Sequence, residues 1–291
     1  MTGDSAERFS IARVLKALVP YGFVRLYWAR EKKAELARTI QKHVNERERR
    51  RAEFKAQFRP GKPLTFTYDR AMALLDELGI DPVQSRGGSM PEASLDFMRQ
   101  HFACLDRDKP VVALHVGNFL GISLAYLANA LAELNPESKV VSIDPNIPHR
   151  GIQRPGDVVL TLLTQFGLVG RVAILTGYSL EKNLSGQGHV FKGYDPIAGW
   201  NSEKACTHQL QLLHELAPSR FDLCLIDGNH EAEYLQRELD QVSRLLRPGG
   251  LLVLDDVADA WPEVQAVYAA IAPTIFSKLG TDGRIGILVK T

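Results

Sequence analysis

The sequence predicts an α/β protein with a doubly wound, mostly parallel sheet. Beyond about residue 110, short apolar runs of strand length alternate with longer segments of helical periodicity, as in consecutive strand–helix–strand units. Near the end, two β-rich segments flank Gly280-Thr281-Asp282-Gly283, a turn that joins antiparallel strands. The composition, 45% hydrophobic and 24% charged over 291 residues, is that of a globular chain. We therefore expect helices on both faces of the sheet and an antiparallel hairpin at its end.

Each predicted strand is a short apolar run, and each predicted helix carries its apolar residues on one face. The strands are expected at 111–116, 139–144, 171–175, 221–227 and 250–254, with hairpin strands at 274–279 and 284–290. The helices are expected at 69–78, 92–103, 121–134, 156–168, 203–216 and 231–246. Pro60-Gly61-Lys62-Pro63 predicts a boundary between an amino-terminal helical extension, 1–60, and a second domain, 61–291.

Charge is distributed unevenly along the chain. Residues 1–60 hold 15 Lys and Arg against 7 Asp and Glu, although the net charge of the whole chain is +1. Residues 20–28 within this extension are dense in aromatic side chains. Aromatic residues beside Lys and Arg are typical of contact with a membrane surface, and packing on the body of the protein or on a second subunit is equally compatible. The sequence leaves peripheral membrane contact, a homo-oligomer and a solvated helix face open.

The cysteines, Cys104, Cys206 and Cys224, are odd in number and have no CxxC spacing. They exclude a disulfide scaffold and a cysteine zinc site, and they suit the reducing cytoplasm. No apolar run reaches the roughly 18 residues of a membrane span, and we see no secretion signal. We expect a cytoplasmic protein, with peripheral contact to the inner membrane surface as an addition to test.

Two features lie at the carboxyl ends of the first two predicted strands, where such sheets bind ligands. Gly117-Asn118-Phe119-Leu120-Gly121 joins a strand to a helix, and its glycines allow close approach of a ligand to the backbone. The segment lacks the G-x-G-x-x-G pattern, which counts against NAD. Asp144 ends the next strand, where a carboxylate can bind ribose hydroxyls. The alternatives are an ordinary turn and a carboxylate that caps the turn before Pro145.

Acidic residues follow two later strands that we expect to be neighbours. Asp227-Gly228-Asn229-His230 follows one of them, and Asp255-Asp256 follows the other. Carboxylates that lie close together repel one another unless a cation neutralises them, and oxygen ligands suit Mg²⁺. The alternative is a set of surface carboxylates that cap the following helices.

These segments together resemble a known family. Residues 113–123 resemble the first motif of class I S-adenosylmethionine-dependent methyltransferases, and residues 141–144 resemble their ribose-binding strand. Residues 221–230, with residues 246–257, are similar to the metal-dependent small-molecule O-methyltransferases of the catechol and macrocin types. The resemblance covers about residues 85–290 and implies a Rossmann-like sheet of seven strands.

The resemblance also implies roles for individual residues. The cofactor-binding residues would be Ser89, Met90, Gly117, Asn118, Gly121, Asp144, Tyr178, Ser179 and Asp227. The ligands of a divalent cation, expected to be Mg²⁺, would be Asp227, Asp255 and Asp256. His230 would be the catalytic base, at a position where catechol-type enzymes have a lysine. His115 stands where the family has an acidic residue two places before the first glycine.

We therefore expect an enzyme that transfers the methyl group of S-adenosylmethionine to a hydroxyl of a sugar or another polyhydroxylated small molecule. The 184–202 segment, which contains Tyr194 and Trp200, is expected to cover the substrate. One alternative is a module that binds S-adenosylmethionine or a nucleotide without chemistry. Another is a nucleic-acid methyltransferase that uses the basic extension. The absence of an Asn/Asp-Pro-Pro-Tyr/Phe motif counts against methylation of base amino groups.

Overall fold

The structure, a computed structural model, describes residues 62–180, 209–216, 220–258 and 260–291, with a few separate positions between 34 and 49. The chain divides into two compact units, Met1–Arg59 and Pro60–Thr291. The described positions of the first unit are helical and exposed. The predicted roles of residues 1–60 and of the 184–202 segment lie outside the described residues and stay predictions. None of the described helices has the length and apolar character to cross a membrane.

The described part of the second unit contains one sheet of seven strands, in the order β3-β2-β1-β4-β5-β7-β6. The strands are β1 Val112–Val116, β2 Lys139–Asp144, β3 Val172–Thr176, β4 Phe221–Ile226, β5 Leu246–Leu254, β6 Phe276–Thr281 and β7 Gly286–Lys290. Strands β1 to β5 are parallel, and β7 runs antiparallel to both of its neighbours. The predicted fold class, including the terminal antiparallel hairpin, is therefore confirmed.

The described helices are α1 Tyr68–Glu77, α2 Pro82–Gly87, α3 Glu92–Gln100, α4 Ile122–Leu134, α5 Pro155–Gln165, α6 Gln209–Leu216, α7 Ala232–Leu245 and α8 Pro262–Ala270. Two of them, α2 and α8, were not predicted. The signal for α2 was present in the sequence, since Asp81 caps the helix through a bond from the Val83 amide and Pro82 takes its first position. Helix α8 buries only Val264 and Val267, too few apolar residues to give a clear period.

The register of the sheet determines where the functional side chains lie. Strand β1 is central, and four of its residues are buried, which explains why it is apolar on both faces except at His115. Val116 pairs with Ile143 of β2 and with Ile226 of β4, and Ile226 in turn pairs with Leu254 of β5. These four residues are level across the sheet. The residues that follow them along the chain therefore meet at one edge, the carboxyl edge of β1, β2, β4 and β5.

Candidate active site

The ends of β1 and β4 touch at Gly117. Its backbone N–H donates to the carbonyl of Ile143 at 2.9 Å, and the Asp227 N–H donates to the carbonyl of Val116 at 2.8 Å. Gly117 has φ of +83°, and a Cβ built on it would lie 1.9 Å from the Asp227 carbonyl oxygen. Any side chain here would collide with backbone, so this position requires glycine.

Asp144 anchors the turn that follows β1. Its Oδ2 accepts the backbone N–H groups of Asn118 and Phe119 at 2.7 and 3.2 Å, and its Oδ1 accepts the Asn146 N–H at 2.6 Å. Burial raises the pKa of Asp144, and the three N–H donors oppose that shift because they stabilise the carboxylate. The structure thus brings together Asn118 and Asp144, two of the predicted cofactor residues. Helix α4 begins directly after Gly121 and has no side-chain cap at its first turn.

Ser89 and Met90 are both buried on the segment between α2 and α3. The Tyr68 hydroxyl donates to the Met90 carbonyl at 3.3 Å. The preceding Gly88 lies directly against the Phe119 ring, since a Cβ built on it would be 2.4 Å from that ring. This contact holds the segment beside the turn after β1, and the predicted cofactor contacts of Ser89 and Met90 stay predictions.

Ser179 follows β3 and is buried against α7. Its Oγ lies 3.0 Å from the Tyr234 hydroxyl and donates to Glu238 Oε1, and the Tyr234 hydroxyl also accepts the Leu180 N–H at 3.1 Å. Glu238 is completely buried, and burial raises its pKa to about 8. Tyr178 precedes this cluster, and its carbonyl accepts the Gln209 N–H at 3.2 Å.

Glu238 was missed at the sequence level, although a signal was present. It lies four residues after Tyr234 and one before Leu239, on the face of α7 that carries the buried residues. A glutamate in the apolar stripe of an amphipathic helix is unusual, because buried carboxyl groups need hydrogen-bond partners. The helical period alone therefore indicated a buried acid at this position.

His230 and Asp256 form a pair at the ends of β4 and β5. His230 Nε2 lies 2.8 Å from Asp256 Oδ2. The imidazole ring stacks on Trp261, with ring centroids 4.0 Å apart and an interplanar angle of 15°. One ligand atom from each of Asp227, His230 and Asp256 can be chosen so that all lie within 4.8 Å of one another. The structure therefore groups two of the predicted metal ligands with the predicted base.

Asp255 has a different environment from the other two carboxylates. Its Oδ1 and Oδ2 accept bonds from Arg284 Nε and Nη2 at 2.9 and 2.8 Å, and Arg284 Nη2 also lies 3.4 Å from Asp256 Oδ1. The sequence predicted a divalent cation as the partner of Asp255, and the structure places a guanidinium against both of its oxygens. Arg284 was missed because nothing in the local pattern of the hairpin turn connects it with β5.

Burial raises the pKa of Asp227 well above its usual range, and the negative charges of Asp255 and Asp256 raise it further. The positive charge of Arg284 opposes these effects. Arg284 binds Asp255 and lies 3.4 Å from Asp256, and His230 bonds to Asp256, so both of these carboxylates have a side-chain partner. A carboxyl group with a raised pKa holds its proton more readily, and a cation bound beside Asp227 would counteract that shift.

His115 lies on β1, two residues before Gly117. It is completely buried, its Nε2 lies 3.0 Å from the Ser123 hydroxyl of α4, and burial lowers its pKa to about 3. The imidazole is therefore neutral and supplies no charge where the resembled family has an acidic residue. Its bond to Ser123 joins the central strand to the first turn of α4.

Comparisons with known proteins find a methyltransferase domain and solved structures with a similar fold. Residues 114–257 match the family model of a methyltransferase domain. No curated protein sequence matches the chain. The solved O-methyltransferase from Bacillus cereus in complex with SAH aligns at 16% identity with a TM-score of 0.50, over 79% of this chain and 93% of that chain. The SAH-bound Podospora anserina methyltransferase PaMTH1 aligns at 15% identity with a TM-score of 0.50, over 79% and 91%.

The sheet order and the edge built around Gly117 and Asp144 define a class I methyltransferase fold. Residues 114–257 form a matched methyltransferase domain, and together with this fold they support an S-adenosylmethionine-dependent methyltransferase.

Proposed function

We propose that this methyltransferase transfers the methyl group to a hydroxyl of a small molecule, either a sugar or another polyhydroxylated compound, with the help of a divalent cation. The observation that carries the proposal is the His230–Asp256 pair, 2.8 Å apart, at the same sheet edge as Gly117 and Asp144. A base held by a carboxylate suits an acceptor that must lose a proton on methylation, as a hydroxyl must.

The residues around Gly117 support binding of S-adenosylmethionine. The close-packed turn of Gly117, Asn118 and Gly121 would receive the methionine part, and Asp144 at the end of β2 would accept bonds from the ribose hydroxyls. Tyr178 and Ser179 follow β3 and would flank the adenine, while Ser89 and Met90 would close the opposite side. Each of these roles is part of the proposal.

The pair His230–Asp256 supports proton removal. In the tautomer with Nε2 protonated and donating to Asp256, Nδ1 is the basic nitrogen of the ring. Methyl transfer forms an oxygen–carbon bond, breaks the carbon–sulfur bond and leaves the electron pair on sulfur. The hydroxyl proton would go to His230, and Asp256 would stabilise the resulting imidazolium. Trp261 stacks on the ring and fixes its plane.

The donor set at this edge also fits a divalent cation. Asp227 and Asp256 offer carboxylate oxygens, which suit Mg²⁺, and His230 offers a nitrogen, which suits transition metals better. Asp255 was predicted as a further ligand, and its two oxygens accept the bonds from Arg284. A bound cation would lower the pKa of a coordinated hydroxyl.

The test is a turnover assay with methyl-labelled S-adenosylmethionine and a panel of hexoses and catechols. We expect an O-methyl ether as product, and we expect His230→Ala to lower kcat on the order of 10²–10⁴-fold while SAH binding stays intact. EDTA should suppress turnover, and Mg²⁺ or Mn²⁺ should restore it. Methylation of nitrogen rather than oxygen would contradict the proposed reaction, and turnover indifferent to EDTA would remove the cation from it.

A further inference from the structure

A tight turn presents Arg150 beside the candidate site. His149 and Ile152 exchange both backbone hydrogen bonds, at 3.0 and 2.8 Å, and so close a two-residue turn. The central residues, Arg150 and Gly151, have φ of +47° and +76°. Two central residues with positive φ are the mark of a type I′ turn.

Arginine is an unusual residue at the first central position of such a turn. Asn, Asp and Gly are preferred there, because other side chains crowd the backbone when φ is positive. Gly151 fits its position, whereas Arg150 strains its own. Strained residues of this kind occur most often at ligand-binding and catalytic sites. A binding role for the guanidinium would explain why an arginine occupies this strained position.

The Arg150 guanidinium also differs from its neighbours in its contacts. Arg154, four residues on, pairs with Asp157 at 3.1 Å, and Arg284 is bound by Asp255. Within the part of the chain that the structure describes, Arg150 forms no ion pair and no side-chain hydrogen bond. An arginine that is partly buried and has no partner among the described residues can pair with a negatively charged ligand.

The contacts of the turn place this guanidinium at the carboxyl edge of β1 and β2. The His149 ring packs edge-on against Phe119, with centroids 5.4 Å apart, and Phe119 bonds to Asp144 through its backbone. Arg150 Nη1 lies 3.6 Å from the position that a Cβ on Gly87 would take. Burial lowers the pKa of His149, and the positive charge of the adjacent Arg150 lowers it further.

We infer that the methyl acceptor carries an anionic group, a phosphate or a carboxylate, and that Arg150 binds it. The inference deepens the proposed function and depends on it for the hydroxyl that reacts. The planar fork of arginine matches two oxygens of a phosphate or carboxylate, whereas a neutral sugar offers it no counter-charge. A rigid turn would hold the fork at a fixed distance from His230. Arg150 would therefore fix the acceptor's orientation and take no part in the chemistry.

The first experiment measures anion binding alone. Protein saturated with SAH is titrated with inorganic phosphate and, separately, with benzoate, by calorimetry. We expect at least one of these ions to bind, and Arg150→Asn to weaken it by about tenfold, which corresponds to roughly 1.4 kcal/mol. Asn favours positive φ, so this variant should fold with a Tm equal to or above that of the wild type. Arg154→Gln is the matched control on the same segment and should bind the anion normally.

The second experiment compares acceptors that differ only in charge. Catechol is paired with 3,4-dihydroxybenzoate to test a carboxylate. A hexose is paired with its 6-phosphate to test a phosphate. We expect a higher kcat/KM for one anionic member, and we expect Arg150→Asn to abolish that preference through KM while the neutral member is unaffected.

The outcomes distinguish this inference from the proposed function. Anion binding that is absent, or unchanged in Arg150→Asn, overturns the inference and leaves O-methylation in place. A loss of SAH affinity in the same variant also overturns it, because Arg150 would then bind the carboxylate of the cofactor. If Arg150-dependent anion binding is found but no hydroxyl compound is methylated, the anion site stands and the proposed reaction fails.

Discussion

Arg284 and Asp255 form a two-point ion pair between the terminal hairpin and the end of β5, with Nε and Nη2 at 2.9 and 2.8 Å from Oδ1 and Oδ2. The Asp255 side chain is 0% exposed and that of Arg284 is 33% exposed. The Arg284 carbonyl also accepts the Val257 N–H at 2.8 Å. The hairpin therefore neutralises a buried carboxylate of the site and holds the backbone that follows Asp256.

The first prediction is that Arg284→Met destabilises the protein by about 3 kcal/mol. The substitution keeps a long apolar stem but leaves Asp255 buried without its partner, and loss of one partner of a buried ion pair is strongly destabilising. Urea denaturation measures the free energy of unfolding. The matched control is Arg247→Met, because Arg247 pairs with Asp222 at 2.6 Å near the surface, with side chains 47% and 19% exposed. That variant should lose less than about 1 kcal/mol, and equal losses in the two variants would contradict the special role of the Arg284–Asp255 pair.

The second prediction concerns Gly117→Ala. A methyl group at this position would lie 1.9 Å from the Asp227 carbonyl oxygen, so β1 and β4 would have to separate at the site. We expect the variant to lose SAH binding and to be less stable than Gly249→Ala. Gly249 has a similar φ of +76° but no atom within 4 Å of a built Cβ, so its variant reports the cost of positive φ alone, about 1–2 kcal/mol. Calorimetry with SAH and thermal melts of both variants provide the comparison, and similar behaviour would show that the close approach is unimportant.

The residues that follow apolar strands directly could be predicted from the sequence. Asp144 ends β2 and Asp227 directly follows β4, and parallel strands bring such positions to a common edge whatever the details of packing. The charge partner of Asp255 could not be predicted, because Arg284 is 29 residues away and belongs to a turn whose position depends on the packing of the whole hairpin. The contact of Trp261 with His230 could not be predicted either, because it depends on where α8, which begins directly after Trp261, packs.

The third prediction concerns Glu238 and the pH dependence of stability. Its pKa is about 8 in the folded protein against 4.5 ordinarily, so the folded state keeps a proton that the unfolded chain has released. A carboxyl group with a raised pKa contributes no penalty below about pH 4.5, and it lowers stability progressively as the pH rises toward 8. Glu238→Gln should abolish this contribution, which is on the order of 1.4 kcal/mol per pH unit within that window.

The measurement for Glu238 is the free energy of unfolding at pH 5 and pH 8, for wild type, Glu238→Gln and the exposed control Glu77→Gln. The glutamine still accepts the bond from Ser179, so the two proteins should be similarly stable at pH 5 and the variant should be more stable at pH 8. The control should follow the wild type at both pH values. A variant that loses as much stability between pH 5 and pH 8 as the wild type would show that Glu238 ionises freely in the folded state.

The fourth prediction concerns Asp256 and separates the two roles open to His230. Asp256 has φ of +59°, which asparagine tolerates well, so Asp256→Asn should keep the fold and the SAH affinity. If His230 is the base, the variant weakens the carboxylate that orients the imidazole, and kcat should fall on the order of 10²–10⁴-fold. In that case His230→Ala should lower kcat similarly and leave Mn²⁺ affinity unchanged.

If His230 is instead a cation ligand, His230→Ala should weaken Mn²⁺ binding as Asp227→Asn does. Trp261→Phe keeps an aromatic ring for stacking and should retain most of the activity. Wild-type turnover in both Asp256→Asn and His230→Ala would remove the pair from the mechanism.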